Sequence, residues 1–292
     1  MRPFFSAALA AALMGAFGTG EVRAAATEFS GEKALAHVQR LVELGPRPAG
    51  SDVIEKARTY ISDQLAGAGW KVQRQTFTDK TPNGVITFVN LVATFGGQAA
   101  PDFLLCSHYD TKLFDSFSFV GANDGGSSTG LLLELARVLA AEPALAAKLE
   151  LVFFDGEEAF EEFSATDGIY GSRYFAHELK ASGEVKKFHG GILFDMVGDK
   201  SLTVTMPPDS PAELARGIFA AADRLKLRDH FTYFASNITD DHTPLNAIGL
   251  PVIDLIDFDY PPWHTVEDTM DKISAESLRI VGEVALSFLR AR

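Results

Sequence analysis

Two adjacent glutamates, Glu157 and Glu158, stand just after the apolar run LVFF. Two carboxylates side by side at the end of a buried segment are costly unless something neutralises one of them. A bound metal would do so, and the second carboxylate, facing a substrate, could then accept and return a proton. Similar groups end other apolar runs. FLLCS leads into His108 and Asp110, GILF into Asp195, and PVIDLIDFDYPPW into His264. Asp124 lies in GANDGG, whose glycines let the backbone turn tightly and approach a site closely. Imidazole and carboxylate suit zinc, and a catalytic zinc takes three protein ligands and keeps a position open. One His with two carboxylates meets that need. Each residue alone has a plainer reading. A single Asp at a strand end is ordinarily a turn or cap residue. Glu157 and Glu158, with Glu161 and Glu162 close behind, also read as a solvated acidic loop. Only the convergence of several such ends points to a site.

That convergence requires elements that carry the ends to one edge. Helical spacing covers residues 32–44 and 52–67, joined by the Gly/Pro-rich connector LGPRPAGS. Residues 70–78 and 85–95 alternate in the manner of strands and meet at Pro82-Asn83-Gly84, a hairpin. Strands are then predicted at 103–107, 149–154, 191–194 and 250–256. Helices are predicted at 128–139, 170–179, 211–225 and 275–289. The run at 149–154 is continuously apolar, as for a strand buried on both faces. This alternation predicts an α/β three-layer sandwich: a mostly parallel mixed central sheet, helices on both faces, and an antiparallel edge from the hairpin. In such sheets ligands bind at the carboxyl ends of the strands, where these polar residues fall.

Composition sets outer bounds. The 292 residues are 47% hydrophobic, which is ample for a core. The formal charge of −13 argues against a nucleic-acid partner, since no basic stripe could offset phosphate repulsion. Arg2, the apolar run Phe4 to Phe17 and the small residues Ala24-Ala25-Ala26 together read as a secretory signal peptide over 1–26. The run is short for a bilayer span, and no other segment is a candidate. The expectation is an exported protein, periplasmic or secreted, whose mature part (27–292) is one catalytic domain. The single cysteine, Cys106, lies in FLLCS and reads as a buried thiol.

The chain resembles the superfamily of zinc aminopeptidases and animal-type glutaminyl cyclases. LGPRPAGS, SHYDTK, GANDGG, FFDGEEAF, LFDMVGD and the late Trp-His-Thr occur in the family's order over nearly all the mature chain. LELAR, IYGSR, DDHTP and PPWHT favour the glutaminyl-peptide cyclotransferase branch. The resemblance implies that Asp124, Glu158 and His264 bind one zinc and that Glu157 is the acid/base. It places Asp195 and Asp240 in a carboxylate network beside the substrate, with Trp263 lining the pocket. It also implies that His108 and Asp195 could hold a second metal bridged by Asp124, with Asp110 orienting His108. One departure is Phe163, where the cyclases carry Trp; it keeps an aromatic wall but loses an indole donor. Cys106 also lacks the disulfide partner found in the animal enzymes.

The implied reaction closes the N-terminal glutamine of a peptide to pyroglutamate and releases ammonia. The expected partner is the N-terminal segment of a peptide or protein. A zinc aminopeptidase, using Glu157 to activate water, is the alternative; Asp240-Asp241-His242 and Trp263 favour the cyclase. A non-catalytic binding module on the same fold is a third reading, against which every ligand and acid/base position is intact. His242 reads as a structural histidine presenting Asp240. His177, His189 and His230 are assigned no role. Arg47 reads either as paired with a carboxylate or as a plain surface residue.

Overall fold

A computed structural model of the chain describes Met1, residues 28–96 and residues 100–292. Apart from Met1, the segment read as a signal peptide lies outside the described residues. In chain order the elements are α1 (Gly31–Leu44), α2 (Asp52–Gly67), β1 (Trp70–Thr81), β2 (Gly84–Phe95), β3 (Phe103–His108), α3 (Gly126–Ala140), α4 (Pro143–Ala146), β4 (Leu149–Phe154), α5 (Tyr170–Ser182), β5 (Gly190–Asp195), β6 (Val204–Met206), α6 (Ala212–Leu225), β7 (Phe231–Tyr233), α7 (His242–Ala247), β8 (Val252–Ile256) and α8 (Ala275–Leu289).

Six strands form one sheet in the order β1-β2-β4-β3-β5-β8. β1, β2 and β4 pair antiparallel, and β4, β3, β5 and β8 run parallel. The expected mixed sheet with an antiparallel hairpin edge is therefore present. The hairpin closes Thr81 on Gly84 across Pro82-Asn83. Alternate residues of the parallel strands feed two cores. Leu105, Leu151, Phe153, Ile192, Phe194, Ile253 and Leu255 pack with α1, α2, α3, α6 and α8. Leu104, Cys106, Val152, Phe154, Leu193 and Val252 pack with α5 and α7 on the other face. This period of two on a sheet covered twice explains why the strands are apolar throughout.

Helix starts follow capping chemistry. The side chains of Ser30, Ser51 and Ser274 accept from the amides of Lys33, Ile54 and Ser277 to open α1, α2 and α8. α3 is buried almost all round because it lies between the sheet and α1. The short β6, β7, α4 and α7 are not predicted by periodicity, since runs of three to six residues carry too few repeats to register a period.

Candidate metal centre

β3 ends on His108 and β5 ends on Asp195. β4 ends at Phe154, four residues before Glu158. β8 ends at Ile256, and the loop after it carries His264. The four parallel strands thus deliver these groups to one edge, as strand-end placement predicts. Two glycines make the approach possible. At Gly125, with φ +73°, a Cβ would meet the Asp110 carbonyl oxygen at 2.6 Å and the His108 ring at 2.9 Å. At Gly156, with φ +69°, it would meet the Phe88 ring at 2.4 Å.

Ligand atoms of Asp124, Glu158 and His264 lie within 4.8 Å of one another, as do those of His108, Asp124 and Asp195. His264 Nε2 stands 3.4 Å from Asp124 Oδ2 and 3.2 Å from Glu158 Oε2. His108 Nε2 stands 3.3 Å from Asp124 Oδ1 and 3.2 Å from Asp195 Oδ1. A tetrahedral zinc with arms of about 2.0–2.1 Å has edges of about 3.3 Å, so these separations fit ligands around an ion. Asp124 offers a different oxygen to each group. Asp124 Oδ2, Glu158 Oε1 and His108 Nδ1 are buried and make no hydrogen bond among the described residues. Buried polar atoms normally find partners. Orphaned oxygens converging with imidazoles are what a metal-binding donor set looks like without its ion.

Electrostatics support the same fit. Burial, and then Asp124, push the Glu158 carboxyl up to about 7, against the pull of His264. Burial would lower His264, but the hydrogen bonds it donates to Asp124 and Glu158 hold it at about 10. Asp124 is desolvated, yet the two imidazoles hold it below the usual carboxylate range. A cation in this place would offset the crowded negative charge and displace the imidazole proton.

Glu157 diverges from its neighbour. It lines a pocket of about 230 Å³ with Asp124, Asp195, Asp240, Trp263 and His264, whereas Glu158 does not. Burial raises its carboxyl well above the usual range; His108 opposes this, and Asp240, Glu158 and Asp241 add to it. Asp110 holds the turn by accepting from the amides of Glu157 (3.1 Å) and Glu158 (3.2 Å), and its Oδ1 also lies 3.5 Å from His108 Nδ1. Phe163, Phe234, Ile238 and Phe258 complete the apolar wall. Trp263 stacks on the His264 ring at 4.2 Å, while Phe114 and Phe119 meet that ring edge-on. His264 and Met196, beside Asp195, have φ of +55° and +45°. Non-glycine residues hold such angles only where the surroundings enforce them, commonly at functional sites.

Every residue expected at the site is at this edge. Others were not foreseen. Asp268 accepts from the amides of Asn123 (2.8 Å) and Asp124 (3.1 Å) and from the Tyr260 hydroxyl (2.8 Å), tying the Asp124 loop to the His264 loop. Its signal was an acid four residues after the ligand-type histidine. Asp254, within β8, joins Asp240 and His242 in a third buried group; an Asp inside an apolar strand was the available hint. His242 opens α7, and burial pushes its imidazole down to about 4. Arg47 corrects both readings offered for it. It is fully buried, and its guanidinium donates to the carbonyls of Leu41, Gly45, Tyr109, Val120 and Gly121.

Comparison with known proteins agrees with this architecture. Residues 90–289 match peptidase family M28, and the chain belongs to that family. Within it the resemblance is to glutaminyl-peptide cyclotransferases. The glutaminyl-peptide cyclotransferase of Boiga dendrophila is 30% identical over 287 residues, covering 85% of this chain and 77% of that protein. The crystal structure of an Acidobacteriales bacterium glutaminyl cyclase superposes with TM-score 0.83 at 34% identity, covering 93% of this chain and 97% of that one. A Zn-dependent exopeptidase from Parabacteroides distasonis superposes with TM-score 0.82 at 26% identity, covering 92% and 100%.

Proposed function

We propose that this chain is a zinc-dependent glutaminyl-peptide cyclotransferase, closing the N-terminal glutamine of peptides to pyroglutamate with loss of ammonia. The observation that carries the reading is the parting of the two glutamates: Glu158 turns into the donor group with Asp124 and His264, and Glu157 turns into the pocket. Asp124, Glu158 and His264 would hold the zinc. When bound, such an ion supplies a Lewis acid beside the side-chain amide carbonyl. The chain's own groups do the rest. The pocket is smaller than drug-sized sites of roughly 300–1,000 Å³ and suits one residue. Its walls of Trp263, Phe258, Ile238 and Phe163 hold the glutamine side chain folded so that the α-nitrogen faces the amide carbon. Glu157 takes one proton from the attacking α-nitrogen as the ring C–N bond forms. It returns that proton to the leaving nitrogen as the amide C–N bond breaks, so ammonia departs. A carboxyl raised by burial is a stronger base than an exposed one, which suits it to taking up the α-nitrogen's proton. Asp195 and Asp240, on the same pocket wall, would orient the amine.

The aminopeptidase alternative is favoured by one observation: Asp124 faces His108 with one oxygen and His264 with the other, as a residue bridging two ions would. Metal content separates the two, one ion per chain for the cyclase and two for the peptidase. The 1–26 segment leads us to place the enzyme outside the cytoplasm. No helix among the described residues is long and apolar enough to cross a membrane. The test is Glu157→Gln: ammonia release from a glutamine-initiated peptide should fall about 10²–10⁴-fold with the metal retained. Glu158→Gln should lose the metal. The opposite pattern means that the two glutamates have exchanged roles.

A further inference from the structure

An aspartate stands in the middle of β8, where the strand is otherwise apolar. Asp254 pairs in register with Leu193 of β5 and lies two residues from Val252, so it shares their face. That face packs beneath α5 and α7 in the second apolar core. α7 opens on His242, and Asp240 and Asp241 precede it. His242 Nδ1 stands 3.4 Å from Asp254 Oδ2. Ligand atoms of Asp240, His242 and Asp254 all lie within 4.8 Å of one another. Asp240 lines the pocket, while His242 and Asp254 do not, so the group sits behind the pocket wall.

This group is short of partners. Asp241 and Asp254 are fully buried, and Asp240 and His242 are 2% and 5% exposed. Both oxygens of Asp254, both of Asp241, Asp240 Oδ2 and His242 Nδ1 are buried without a hydrogen bond among the described residues. Asp240 Oδ1 accepts from the Asp241 amide at 2.5 Å, which leaves Oδ2 for another partner. The only ion pair that any of the three carboxylates makes among the described residues is that of Asp254 with His242. Carboxylates in a dry core are costly unless a cation or a shared proton answers them. The imidazole favours the cation. A direct N–H···O bond would close to about 2.9 Å, whereas 3.4 Å is near the edge of about 3.3 Å between two donors on one tetrahedral zinc. One imidazole with carboxylate oxygens suits zinc and its neighbours among the divalent transition ions, whereas calcium and magnesium take oxygen ligands.

We propose that Asp240, His242 and Asp254 hold a divalent transition ion, zinc above all, separate from the donor groups around Asp124. This ion adds one to whichever count the Asp124 edge holds. Its task is structural: it ties α7 to β8 and fixes the part of the wall that carries Asp240 to the pocket.

The experiment counts zinc in the full chain after loading and dialysis to remove loosely held ions. Asp124→Ala breaks both donor groups at the Asp124 edge, so any zinc that variant keeps lies elsewhere. It should keep one ion per chain, and zinc at a hundredfold above its Kd should raise the Tm by about 5–10 °C. Adding His242→Gln or Asp254→Asn should remove both the ion and the Tm shift. In the chain with Asp124 intact, His242→Gln should hold one zinc fewer than wild type, a comparison that stands even where Asp124→Ala does not fold. A folded Asp124→Ala chain that takes up no zinc overturns the proposal and leaves the carboxylates sharing protons. An ion that survives both added substitutions overturns it too, because that ion sits in another place. Equal zinc in wild type and His242→Gln has the same force.

Discussion

At the scale of single residues, placement gives neighbouring side chains different surroundings. Glu157 and Glu158 are adjacent in sequence, and spacing alone left them equivalent. The turn at Gly156 and the grip of Asp110 on both amides send them apart. Their strand-end position was legible from spacing; their division was not, because it depends on backbone rotation after β4, and only the family resemblance implied it. His242 shows the same limit. The sequence suggested a structural histidine, and burial keeps it neutral by lowering its pKa from 6.5 to about 4. The unfolded chain takes up a proton there near pH 6.5, the folded chain only near 4. The resulting stability is present above 6.5 and is lost as pH falls towards 4, up to about 3 kcal/mol. Urea unfolding of the wild type should therefore weaken more steeply across that window than unfolding of His242→Gln. Equal slopes would show that His242 titrates alike in both states.

At the scale of elements, the loops after β3, β4, β5 and β8 carry the candidate ligands, and buried polar side chains fix them. Asp268 joins the Asp124 loop to the His264 loop, and Asn123 Oδ1 accepts from Gly198 to fasten the loop after Asp195. Asp268→Asn would set an amide NH₂ against a backbone N–H. We expect metal affinity to fall about 10–100-fold in a chelator competition, as for other residues that orient ligands. Unchanged chelator sensitivity would mean that the two loops hold their places without it. Arg47 anchors α1 and the 109–121 segment through five carbonyls. Arg47→Ala would strand those acceptors, and we expect a loss of about 3 kcal/mol or more in urea unfolding. A loss below about 1 kcal/mol would show that water takes over the carbonyls. Neither link was legible in advance. Both join residues more than 60 positions apart in part of their contacts, and each pairs a side chain with backbone, which leaves no compositional mark.

For the whole molecule, the architecture was the most legible feature. Strands buried on both faces read as unbroken apolar runs, and the helices between them kept their period, so layers and sheet type followed from the pattern alone. The same pattern put His108, Asp195 and the Glu157 turn at one sheet edge before any ligand set could be chosen among them. What sequence periodicity could not supply was the small β6–β7 pair and α7, which bring Phe234, Ile238 and Asp240 to the pocket. Those residues form part of the pocket lining. Metal-loaded protein should be incubated with one glutamine-initiated peptide and the product weighed by mass spectrometry. A peptide that keeps every residue and is lighter by one ammonia is the predicted result. A peptide shortened by its first residue would contradict it.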